Sequence, residues 1–192
     1  LPNWRRPLSL TAGVGVLVLI IFAAGLTGAA QRQTEAAIES MNRGQFDAAE
    51  AALQTAQRRW GWADPPWAYE AVLYQSLLDV IPETEQALRQ ELMAKAMRAL
   101  DTARERNPHR ALIPTLRGEL LRDHPALAEG SARESLEAAL ALNPRSVPAR
   151  LAYAELIREA EGEDAAHRVL EEGVALRYGN RAAPLALYQA TI

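Results

Sequence analysis

The stretch GSARESLEAALALNP, residues 130–144, sets Ala132, Leu136 and Ala139 at offsets of four and seven. Those offsets place the three side chains on one face of a helix. The two alanines let a neighbouring helix approach closely, and the leucine fills the space between them. Asn143-Pro144 ends the helix, because asparagine favours helix ends and proline cannot continue one. The same small–large–small spacing occurs at Ala49, Leu53 and Ala56, at Ala96, Leu100 and Ala103, and at Ala166, Leu170 and Gly173. Asn107-Pro108 closes the stretch with Ala96, Leu100 and Ala103 as Asn143-Pro144 closes residues 130–144.

Each of these helices follows another that carries its own small residue. Ala71 lies between Trp67 and Tyr74, Gly118 lies in LRGELL, and Ala154 lies in LAYAEL. Counting back from Ala49 puts Ala37 at the corresponding place in a first helix. On these residues the chain resembles the tetratricopeptide repeat (TPR), a helix–turn–helix unit of about 34 residues. The family's small–small–large–small–Pro positions are filled by Gly118, Ala132, Leu136, Ala139 and Pro144. The resemblance implies an all-α chain of four helix pairs, at about 31–61, 64–108, 111–144 and 147–178, and a last helix at 183–191 with Pro184 in its first turn. The second unit carries extra residues around 79–92, the third has extra residues around 124–130, and the first and last lack the closing proline. One such pair cannot bury both its apolar faces, so neighbours must stack into an α-solenoid.

Ahead of the repeats, Leu8–Ala30 is a run of 23 residues without a charge. As a helix it would measure roughly 34 Å, enough for a hydrocarbon core of about 30 Å. A secretory signal has an apolar core of only about 7–15 residues, and soluble helices average about 11–12. The run is therefore expected to be a transmembrane helix, with residues 1–7 as a flank and 31–192 as the domain outside the bilayer. Arg5 and Arg6 precede the run, whereas Gln31–Ser40 holds Arg32 with Glu35 and Glu39. Positive flanks stay cytoplasmic, so the expected topology is N-terminus in, repeats in the periplasm of a bacterial inner membrane. Trp4 beside the two arginines suits the aromatic belt at that interface. Ala24 with Gly28, and Gly25 with Ala29, form small-xxx-small pairs that permit close approach of another membrane helix.

Composition narrows the function. With the two N-terminal arginines set aside, 19 basic residues face 24 acidic ones, so there is no general attraction to nucleic acid. The chain has no cysteine, which excludes disulfides and thiol chemistry. His109, His124 and His167 stand alone, without a second ligand at metal-binding spacing. No phosphate-cradling loop or nucleophile elbow occurs. Glu161, Glu163 and Asp164 fall in a turn between helices, where solvated charge is the ordinary role. The expectation is a non-catalytic chain without metal or cofactor.

Candidate binding residues come from two sources. The resemblance implies a concave groove lined by the first helix of each unit. Its positions correspond here to Val72, Gln75 and Ser76, to Thr115, Glu119, Arg122 and Asp123, and to Leu151, Glu155, Arg158 and Glu159. Glu119/Arg122 and Glu155/Arg158 recur at a spacing of three, which also fits intrahelical ion pairs on a solvated face. The second source is the segment RRWGW. If the first helix rises from the bilayer and its partner returns, Arg58, Arg59, Trp60 and Trp62 come back to headgroup level. Burial between units is the competing role for the tryptophans, and Trp67 is expected in the core.

The expected function is a membrane-anchored protein–protein interaction module: a scaffold, assembly factor or accessory subunit of a larger membrane complex. Its partners would be other proteins and the lipid bilayer. The chain opens on Leu1 rather than methionine, so a C-terminal repeat tail of a multi-span polysaccharide polymerase or ligase stays open beside it.

Overall fold

The computed structural model describes residues 31–127, 129–176 and Leu187, and among these residues every regular element is a helix. The expected span at 8–30 lies outside them, as does the expected closing helix apart from Leu187, which is helical and buried. Among the described residues no helix is long and apolar enough to cross a membrane. The chain divides into two compact units, Leu1–Trp62 and Ala63–Ile192.

In the first unit, α1 covers residues 31–42 and α2 covers Phe46–Trp60. Residues 43–45 turn the chain, with Gly44 at φ 71° and the Gln45 N–H donating to the Ser40 carbonyl at 2.8 Å. A positive φ costs glycine nothing, which explains its place there. Thr34 and Ala37 are buried on α1, and Ala49, Leu53, Ala56 and Trp60 are buried on α2. The offset-of-four-and-seven stripe is thus the inward face of α2.

Among its described residues the second unit holds three helix pairs. They are α3 (Pro65–Val80) with α4 (Gln86–Arg106), α5 (Leu112–Asp123) with α6 (Ala132–Leu142), and α7 (Val147–Glu161) with α8 (Glu163–Val174). Successive pairs meet through α4 with α5 and α6 with α7, while α3, α5 and α7 stand side by side. Local chemistry sets the starts. Proline occupies the first turn of α3 and of α7, where its missing N–H costs nothing. Ser131 Oγ accepts from the Glu134 N–H at 3.1 Å and caps α6, and Ser146 does the same for α7. The extra residues around 79–92 become the loop before α4 and added turns at its N-terminal end. For that reason α4 has 21 residues where α6 and α8 have 11 and 12.

The repeat leucines Leu100, Leu136 and Leu170 are fully buried, as are Ala96, Ala103, Ala139 and Ala166. Close approach is literal at Gly118, where an added Cβ would lie 2.5 Å from Leu136 Cγ. Trp67, expected in the core, is half-buried and packs against the core made by α3, α4 and α5 from its edge.

Candidate protein-binding face

Because α3, α5 and α7 are neighbours, most of their sequence-predicted residues form a row that solvent reaches. On α3, Val72, Gln75 and Ser76 are half-buried. The Ser76 hydroxyl donates to the Val72 carbonyl at 3.0 Å, a bond within its own helix. Gln75 Nε2 donates to Asp123 Oδ2 at 3.3 Å, a direct bridge from α3 to the end of α5. On α7, Leu151 packs against Ala154, Leu170 and Leu187, and Glu155 and Glu159 are exposed.

Thr115 departs from the expectation. It is buried, and its hydroxyl donates to the Ala111 carbonyl at 2.8 Å. A short β-branched side chain at that position stays inside, beneath the surface that a partner could reach.

The two Glu/Arg pairs also diverge. Arg158 Nη1 donates to Glu155 Oε1 at 2.6 Å, and its Nε lies 3.0 Å from Glu163 at the start of α8. The hydrogen bond that Arg158 donates to Glu155 is the first cause that holds this guanidinium still more firmly protonated. In the other pair, Arg122 turns to Asp123, with Nε to Oδ1 at 2.8 Å. Glu119 therefore has no hydrogen-bond partner among the described residues. Burial pushes its carboxyl above the usual glutamate range, Arg122 pulls it down, and Asp123 pushes it up again. The sequence recurrence is thus one intrahelical ion pair and one desolvated carboxylate.

At the other candidate surface, the two tryptophans separate. Trp60 is 8% exposed and Trp62 is 68% exposed. Their rings meet edge-to-face, 5.7 Å between centroids and 88° between planes. Of the two roles kept open for these rings, Trp60 takes burial, covered by the chain itself, and Trp62 is left exposed. Arg58 and Arg59 are exposed in the last turn of α2. Trp4, Arg5, Arg6, Ala24, Gly25, Gly28 and Ala29 lie outside the described residues.

Three polar hubs escaped the sequence reading. Asp64, buried before α3, receives Asn107 Nδ2 at 3.2 Å and pairs with Arg110, tying the α4–α5 loop to the start of α3. Arg89 of α4 donates to the carbonyls of Leu78 and Ile81, each at 2.7 Å, and so closes the end of α3. Its other nitrogen lies 3.4 Å from His124 Nδ1. Buried Arg150 donates to the Val169 carbonyl at 2.9 Å and the Pro144 carbonyl at 3.1 Å. Only Asp64, placed just before Pro65-Pro66, carries a sequence signal, that of a helix start. A cleft of about 510 Å³ between the α4–α5 loop, α5 and α6 is lined by Arg104, Ile113, Leu121 and Leu142 among others. Among the described residues no group of three or more His, Asp or Glu could hold a metal ion.

The architecture defines a class: an all-helical repeat protein with a TPR-like fold. Among solved structures, the chain is similar to TTC0263, a thermophilic TPR protein of Thermus thermophilus. The TM-score is 0.66 at 21% identity, over 97% of each chain. It also aligns with pilF of Pseudomonas aeruginosa, at TM-score 0.34 and 19% identity over 86% of each chain. No family model matches the sequence, and no curated protein does. At this level of identity the likeness to TTC0263 shows the fold.

Proposed function

We propose that the chain is a membrane-anchored protein-binding module, acting as scaffold or accessory subunit of a bacterial inner-membrane complex. In this reading residues 1–7 are cytoplasmic and 8–30 span the bilayer. The helix pairs at 31–61, 64–108, 111–144 and 147–178 then stand in the periplasm. One observation carries the binding role. The adjacent helices α3, α5 and α7 present Gln75, Glu119, Arg122, Asp123, Glu155, Arg158 and Glu159 on accessible positions of neighbouring elements. Such a row suits an extended segment or a helix of another protein, because side chains from three elements can be engaged at once. The anchor would raise the local concentration of the domain near membrane partners.

The test is crosslinking in mild detergent of the full chain and of the Arg122→Glu/Arg158→Glu double variant. Both arginines are half-buried, and Arg158 pairs with Glu155 and Glu163, so circular dichroism and a melting curve of the variant establish that it is folded before its partners are compared. Loss or exchange of the crosslinked partners is the expected result. An unchanged set of partners refutes the assignment of this face.

A further inference from the structure

We infer that the end of α2, formed by Trp62, Arg58 and Arg59, is a contact for anionic lipid headgroups that seats the first helix pair on the membrane surface. This inference rests on the reading of Leu8–Ala30 as a span. From residue 31 to the turn, α1 rises about 18 Å, and from residue 46 to Trp60 α2 returns about 21 Å. A connection as short as residues 43–45 joins antiparallel neighbours. The end of α2 therefore returns to within about one helical turn of the level of residue 31.

The chemistry at that end fits a headgroup layer. Trp62 is left 68% exposed, and an exposed indole gains where apolar and wet surroundings meet. Trp60 beneath it holds the exposed ring edge-on. Among the described residues Arg58 donates to the Thr55 hydroxyl alone, at 3.0 Å, and Arg59 has no partner. Two adjacent arginines without an acid to pair with reverse the acidic balance of the surrounding domain. Phosphodiester oxygens supply acceptors for both guanidinium groups, which bind phosphate through charge-assisted hydrogen bonds.

The absence of cysteine makes the test clean, because a single introduced cysteine is the only label site. The full chain carries a nitroxide in Arg59→Cys, Arg43→Cys or Val18→Cys, in vesicles of phosphatidylglycerol and phosphatidylethanolamine. Collision with oxygen and with a water-soluble nickel chelate reports depth. The Val18 site is expected in the bilayer interior, the Arg43 site in water, and the Arg59 site at headgroup depth. An Arg59 site as wet as the Arg43 site, with the Val18 site still in the interior, overturns this inference and leaves the anchor standing. A wet Val18 site overturns both. Since the Arg59 label removes one charge, a Trp4→Phe/Trp67→Phe chain with both arginines intact provides the companion measurement. A shallow spin-labelled lipid is expected to quench its exposed indole, and Arg58→Glu/Arg59→Glu to restore the emission. Emission untouched by that lipid overturns the contact equally.

Discussion

Gly118 and Gly173 show how little room the repeat leaves at single residues. A Cβ at Gly118 would lie 2.5 Å from Leu136 Cγ and 2.8 Å from its Cδ2, and one at Gly173 would collide with Arg150 and Leu187. Gly118→Ala is expected to cost about 1–3 kcal/mol, the range for overpacking a filled core, in urea unfolding. A change of only a few tenths would mean that the helices can part freely. Both glycines were legible from sequence, because they stand at the family's small positions. Glu119 was legible only as a position. Its carboxyl titrates above the ordinary range in the folded chain because burial penalises the charged form. The folded state therefore holds this proton more tightly than the unfolded state does. The resulting stabilisation is complete below the unfolded value and is lost as pH rises through the raised folded one. Glu119→Gln is thus expected to raise the unfolding midpoint modestly at neutral pH and to change little below about pH 4. A difference that stays constant across that range would argue against desolvation as the cause.

At the scale of elements, helix ends are closed by groups from elsewhere in the chain as well as by local caps. Ser131 is a local cap, and Ser131→Ala should cost about 1 kcal/mol by thermal melting. Asp64 acts at longer range, receiving Asn107 and Arg110 from the loop that follows α4. Asp64→Ala is expected to cost more than the serine change, about 1–3 kcal/mol, since it leaves two half-buried donors, Asn107 and Arg110, without their buried acceptor. Equal costs for the two changes would show that the loop re-bonds to water. Helix positions were readable from sequence because proline, asparagine–proline and the offsets of four and seven act within a few residues. The length of α4 was not readable, since an insertion can equally become loop or helix until packing decides.

In the molecule as a whole, the second unit is a stack in which α5 touches α3, α4, α6 and α7. Its amides are expected to exchange most slowly in a hydrogen-exchange experiment, with α8 faster, because stability in a stack is shared between neighbours. Uniform exchange across α3–α8 would mean that the unit opens as one body. The repeat register, the helical class and the alternation of small and large core residues were determined by sequence alone. Each depends on a spacing that one helix face imposes on its own residues. The accessible row on α3, α5 and α7 was partly legible through the repeat positions, but Thr115 turned inward. The arginine partners, the burial of Trp60 beneath Trp62, and the buried hubs at Asp64, Arg89 and Arg150 were decided by tertiary structure. Those depend on which distant groups packing brings within hydrogen-bond reach, and spacing along the chain does not encode that distance.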